Sequence, residues 1–136
     1  MKYILQFDGG SRGNPGIAGS GFVLYDEEGN EIYSGRYGLA HATNNEAEYS
    51  GIVQGLKLAL SLQVCNIIVE GDSQLIIRQI EGVYKVKNAN LRTYYKEAIA
   101  LRKKFDSFQV RHIPREQNSR ADELANEAMD AMMKNS

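Results

Sequence analysis

Four carboxylates, Asp8, Glu48, Asp72 and Asp122, sit where their chemistry could be shared. Asp8 ends the alternating run YILQFD and is followed at once by GGSRGNPG, residues 9–16. A glycine-rich segment after a strand can cradle a phosphate, make a surface turn, or bring a ligand close to a metal-binding carboxylate. The phosphate option fails on its own terms. A loop of the G-x-x-x-x-G-K-[ST] kind carries a Lys-Ser/Thr pair and opens a helix, whereas GGSRGNPG has no such pair and leads into another strand-like run. The glycines would instead let the backbone turn tightly and admit a bulky ligand beside Asp8. Asp72 ends a second apolar run, VCNIIVEG. Glu48 shares helical spacing with Ile52, Gly55, Leu56 and Ala59, which directs it inward. Asp122 falls in the first turn of the last helical pattern.

Each carboxylate taken singly has an ordinary explanation. Asp8 fits a turn start, Asp72 a helix cap before Ser73, and Asp122 a capping box three residues after Ser119. Glu48 is the hardest to explain this way, because an inward charge without a partner is costly. Taken together, four like charges brought to one place repel each other, and a divalent cation is the usual remedy. All-oxygen ligands with no cluster of Cys or His favour Mg²⁺ or Mn²⁺ over Zn²⁺.

The elements that must position these groups follow from periodicity. Tyr3, Leu5 and Phe7 alternate with Ile4, Gln6 and Asp8, a strand expected to stop at Asp8. GSGFVLYD and EIYSGRYGL make two more strands around the turn EEGN, so the first three form an antiparallel meander. Residues 44–62 carry a helical stripe, VCNIIVEG is a fourth strand, and SQLIIRQI is a short helix broken by EGV. NANLRTYYKEAIALRKKF is a longer helix capped by Asn88 or Asn90. FQVRHI is a fifth strand closed by Pro114, and Asn118 or Ser119 opens the last helix. The order β-β-β-α-β-α-α-β-α implies an α/β fold: a mixed five-stranded sheet with helices on both faces and right-handed crossovers. Strand one then pairs in parallel with strand four, and strand five lies beyond it. Asp8 and Asp72 so reach the same carboxyl edge, the usual ligand side of open α/β sheets.

Bulk properties restrict the class. At 136 residues, residues 1–136 are expected to form a single domain. A net charge of −1 gives no global sign of a nucleic-acid binder, but residues 78–104 hold eight basic side chains against two acidic ones. That +6 segment fits a phosphate-tracking surface and a solvated helix face equally well. Cys65 is the only cysteine, which excludes an intrachain disulfide and suits a reducing compartment. No secretory leader and no run of membrane-spanning length is visible, so a cytoplasmic protein without membrane contact is expected.

The motifs DGGSRGNPG, TNNEAEY, EGDSQL and HIPREQNSRADELAN, in that order, resemble type 1 ribonuclease H in its short, reverse-transcriptase-like form, and the match runs from about Lys2 to Met129. The resemblance implies the ribonuclease H-like fold with strand order 3-2-1-4-5. It also implies endonucleolytic hydrolysis of the RNA strand of RNA–DNA hybrids, by a monomer, to 5′-phosphate and 3′-hydroxyl ends. Two Mg²⁺ ions (Mn²⁺ as a substitute) would act with substrate bound, held by Asp8, Glu48, Asp72 and Asp122. Of the two glutamates in EAE, Glu48 takes the catalytic slot and Glu46 lies elsewhere on the helix. His112, ten residues before Asp122, takes the place of the family's mobile histidine. Asn14, Asn44 and Asn45 match the asparagines that read the hybrid's minor groove, and Thr43 with Asn88 match a pocket for a DNA phosphate. The basic, Trp-rich protrusion of other members is reduced here to EGVYKVKNANL, without Trp. Two other readings stay open: a non-catalytic nucleic-acid-binding module, and a nuclease of the same fold superfamily with a different substrate.

Overall fold

The structure is a computed structural model that describes residues 1–134. Three strands lead: β1 (Tyr3–Arg12), β2 (Gly16–Tyr25) and β3 (Glu31–Ala42). Helix α1 (Asn44–Ser61), strand β4 (Asn66–Gly71), helices α2 (Gln74–Glu81) and α3 (Ala89–Arg102), strand β5 (Ser107–His112) and helix α4 (Ser119–Lys134) follow. The sheet order is β3-β2-β1-β4-β5, as the resemblance implies. β1–β2 and β2–β3 are antiparallel, while β1–β4 and β4–β5 are parallel. Among the described residues no helix is long and apolar enough to cross a membrane.

One face of the sheet presents Leu5, Phe7, Phe22, Leu24, Ile67 and Val69 to a core closed by Tyr49, Ile52 and Leu56 of α1, with Ile76, Ile77 and Ile80 of α2 and Leu91, Ala98 and Leu101 of α3. The other face takes α4 against β1, β2 and β3. That approach requires glycine. A Cβ on Gly21 would lie 2.6 Å from the Ala121 carbonyl oxygen, and one on Gly19 would lie 2.7 Å from that of Ala125.

The helix ends follow local chemistry. Thr43 and Glu46 form a capping box at the start of α1: Thr43 Oγ1 accepts from the Glu46 N–H, and the Glu46 carboxylate accepts from the Thr43 N–H. Ser73 caps α2, which ends at Gly82 in the left-handed region, φ 86°. Asn88, of the two candidates, caps α3 through the N–H groups of Asn90 and Leu91.

β1 does not stop at Asp8. It runs on to Arg12, paired with β2 as far as Ile17, and turns at Gly13, φ 86°. What ends near Asp8 is the pairing with β4, whose last partners are Gln6 and Glu70. Beyond that point the two parallel strands part. The glycine after Asp8 serves packing as well as access. A Cβ on Gly9 would collide with the Ala47 carbonyl carbon and sit 2.5 Å from Glu48 N. Gly9 admits the backbone of α1, which seats Glu48 beside Asp8, and with Gly10 it also lines the cleft described below.

Candidate active site

The parting of β1 and β4 leaves a cleft of about 400 Å³ at the carboxyl edge of the parallel strands. Each acidic group reaches it from a different element. Asp8 is in mid-strand on β1, Asp72 is the first residue after β4, Glu48 is in the first two turns of α1, and Asp122 is in the first turn of α4. All four line the cleft, joined by Asn44, Arg12, Arg115 and Asn126. One carboxylate oxygen from each of Asp8, Glu48 and Asp72 lies within 4.8 Å of the others. Asp122 is within hydrogen-bonding reach of Asp8.

The ordinary explanations for the single carboxylates lose their footing. Asp8 is in a strand, not a turn. Ser73, not Asp72, caps α2. Ser119 is already the first residue of α4, so it forms no capping box with Asp122; a capping box is found at α1 instead. Glu46 spends its carboxylate there and takes no part in the acidic group.

The electrostatics of the cluster are unfavourable without a cation. Burial, then the Asp72 charge, then a hydrogen bond with Asp122 push the Asp8 carboxyl from its ordinary 3.8 up to about 7. The Gly9 N–H pulls the other way. Burial raises Glu48 well above the usual carboxylate range, with the Asp8 and Asp72 charges adding to it. Glu48 Oε2 is buried with no hydrogen-bond partner. An orphaned buried carboxylate oxygen, aimed among two other carboxylates, is the donor set of a hard divalent cation.

The other residues singled out from sequence fall in two groups. Asn14 and Asn44 knit the β1–β2 turn to α1: Asn14 Oδ1 accepts from Asn44 N at 3.1 Å, and Asn44 Oδ1 accepts from Ser11 N at 2.7 Å. Asn45 follows on α1, half-buried, and Thr43 holds the helix cap. Asn88 lies at the start of α3, away from the cleft lining. His112 is also absent from that lining. It is exposed at the end of β5, and its Nε2 lies 3.1 Å from the Asp72 carbonyl oxygen.

Besides Arg12, which pairs with Asp130, the basic side chain that lines the acidic cleft is Arg115, in a 3₁₀ turn (Arg115–Gln117) between β5 and α4. Sequence reasoning passed over it. The available signal was the run PRE after the last strand, which puts a basic side chain just before a helix N-terminus.

Comparison with known proteins bears on the whole chain. The family model described as reverse transcriptase-like matches residues 6–128. A bifunctional protein of Mycobacterium tuberculosis is 41% identical over 132 residues, covering 96% of this chain and 36% of its own length. Its N-terminal RNase H domain has been solved and superposes with a TM-score of 0.96 at 39% identity, covering 98% of this chain and 97% of that one. Ribonuclease HI of Halobacterium salinarum is 41% identical, covering 91% of this chain and 62% of its own length. An RNase H1 isolated from compost, solved in complex with an RNA/DNA hybrid, gives a TM-score of 0.91 at 38% identity, covering 96% of this chain and 99% of that one. The chain thus spans about a third of the mycobacterial relative and less than two thirds of the halobacterial one. By motifs, strand order and family match alike, the chain belongs to the reverse-transcriptase-like branch of the type 1 ribonuclease H family.

Proposed function

We propose that this chain is a ribonuclease H that hydrolyses the RNA strand of RNA–DNA hybrids, leaving 5′-phosphate and 3′-hydroxyl ends. The observation that carries the reading is the buried trio Asp8, Glu48 and Asp72, with Asp122 beside it, in one cleft. The hybrid bound to the compost RNase H1 gives the substrate class. Asp8, Glu48, Asp72 and Asp122 would hold divalent metal, Mg²⁺ or Mn²⁺. When bound, such ions supply an activated water and neutralise charge on the leaving oxygen.

The chain's own residues do the rest. Asn44 stands at the cleft wall with Oδ1 committed to Ser11, which fixes its amide NH₂ as a donor toward a minor groove. Asn14 and Asn45 flank it. Thr43 at the cap of α1 and Asn88 at the cap of α3 are the residues that would hold a phosphate of the DNA strand. Arg115 offers a cation to the phosphate being cleaved. RNA would be told from DNA by contacts to the 2′-hydroxyl.

The deciding assay presents labelled RNA–DNA hybrid, double-stranded RNA and double-stranded DNA, each with Mg²⁺ and with chelator. Cleavage of the RNA strand of the hybrid alone, and only with metal, is expected. Metal-independent cleavage, or none of the hybrid, would refute the reading.

The basic segment can be tested separately. Lys85 lines a half-open groove with Tyr84, Val86, Arg92, Tyr95 and Lys96, and Lys87 follows two residues later. The Arg92 guanidinium is committed to the Val86 and Lys87 carbonyls, which shapes the groove. With both Lys85 and Lys87 changed to Ala, KM for hybrid is expected to rise about five- to tenfold with kcat nearly unchanged. The salt dependence should flatten by about two phosphate contacts. An unchanged salt slope assigns the segment to a solvated helix face.

A further inference from the structure

Asn118 stands between the last 3₁₀ turn and α4 and is fully buried, at 0% exposure. Its Nδ2 donates to the Phe7 carbonyl oxygen at 2.8 Å and to Asp72 Oδ2 at 3.1 Å. Its Oδ1 is buried with no partner. The orientation of the amide is dictated by its neighbours, because a carbonyl and a carboxylate both need donors and only the NH₂ end supplies two.

From this geometry we infer that Asn118 is the positioning residue for Asp72: it ties that carboxylate to β1 across the gap where β1 and β4 part, and so holds it against Asp8 and Glu48. The pairing of the two strands runs from Tyr3–Ile67 and ends at Gln6–Glu70. Phe7 follows Gln6 directly, and Asp72 lies two residues beyond Glu70, just past the end of β4. Nothing in the ladder fixes the distance between them there. One rigid, planar group donating to both does. A residue selected only to fill space would be apolar and would leave no orphaned acceptor. Asn118 keeps an unsatisfied Oδ1, an ordinarily costly arrangement. What an apolar residue could not supply is the pair of donors.

The hydrogen bond to Asp72 also fixes its rotation about the Cβ–Cγ bond. Outer groups that orient a ligand typically change metal affinity or activity by about 10- to 100-fold when removed. The inference rests on Asp72 being a metal-holding carboxylate, as proposed above, and the test separates the two ideas. Mg²⁺ is titrated into wild type and into Asn118→Ala, without substrate, at a temperature where each is folded, with binding followed by backbone and side-chain amide NMR signals. The expected result is a Mg²⁺ Kd raised about tenfold or more in Asn118→Ala. With hybrid as substrate, kcat should fall by a similar factor at unchanged KM.

A purely structural Asn118 predicts a lower melting temperature with unchanged Mg²⁺ affinity and unchanged kcat, and that result overturns the inference. If wild type takes up no Mg²⁺, the metal-holding reading falls with it. If only the variant's affinity is unaltered, the positioning role alone falls. Should Asn118→Ala not fold, wild type decides. The slowly exchanging NH₂ signals of Asn118 should shift on Mg²⁺ titration while those of Asn30, on the exposed β2–β3 turn and bonded to Asp26, stay fixed. A motionless Asn118 signal refutes the role.

Discussion

Changing Asp72 to Asn is expected to slow cleavage of the hybrid by about 10³-fold or more, roughly 4 kcal/mol at the transition state, while hybrid affinity stays within about twofold. The two halves of this result have separate origins. Asp72 stands within 4.8 Å of the Asp8 and Glu48 oxygens and accepts from Asn118. An amide at this position keeps the shape and loses one full negative charge from a donor set suited to a hard cation, which binds through anionic oxygen. Ground-state affinity comes from other places. The phosphate contacts proposed for the basic segment, Thr43 and Asn88, and the minor-groove contacts proposed for Asn14, Asn44 and Asn45, are untouched by the change. Cleavage rates and equilibrium binding, measured on one hybrid at one stated salt concentration, check both halves. Wild-type rates in Asp72→Asn would rule out its assigned role, and lost binding would move it from chemistry to substrate capture.

The second large effect is on stability, and it runs against the habit that substitutions destabilise. Metal-free Asp8→Asn should melt higher than metal-free wild type at pH 8. The Asp8 carboxyl is held up to about 7 in the folded chain against an ordinary 3.8. Between those two values the folded state keeps a proton that the unfolded chain has released. Stability contributed by this group therefore falls as pH rises through that window. Above about pH 7 both states are ionised, and the full cost of a buried charge beside Asp72 is present. Glu48 is raised in the same direction, so wild type should lose stability steadily from mildly acidic to mildly basic pH without metal. Asn at position 8 does not titrate and removes the largest burden on its neighbours. The gain should be on the order of 1 kcal/mol or more at pH 8, several degrees in melting temperature for a chain of this size. It should shrink to nothing near pH 4.

Millimolar Mg²⁺ should raise the wild-type midpoint, since a ligand that binds only the folded state stabilises it by mass action, and should scarcely move that of Asp8→Asn. Thermal melts of both proteins across pH, with Mg²⁺ and with chelator, carry the comparison. An Asp8 serving only the fold gives the reverse: an equal or less stable variant, and no response to Mg²⁺ in either protein.

Much of this architecture was legible in local pattern. Alternation in YILQFD and FQVRHI marked strands, a helical stripe marked α1, and the order of elements left one natural sheet. Because β1 and β4 are parallel neighbours, Asp8 and Asp72 had to share an edge. Glu48 could be separated from Glu46 by its spacing to Ile52 and Leu56, and it is the buried one of the two. The period of a strand or helix depends on adjacent residues alone, so a single sequence carries it.

What tertiary structure decided concerns residues whose role depends on partners far along the chain. Glycines at 9 and 10 read as a loop because glycine disfavours strands. β1 nevertheless continues through them, since pairing with β2 and the backbone of α1 at Gly9 outweigh that propensity. Nothing in the local pattern singled out Arg115, and it is the 3₁₀ turn between β5 and α4 that brings it to the cleft. Asn118 read as a cap for α4. Its side chain instead serves Phe7, 111 residues away, and Asp72, 46 residues away. The residues that could do chemistry were set by type and by element, which are local properties. Which of their neighbours hold them in place was set by packing between elements, and only the folded chain brings those neighbours together.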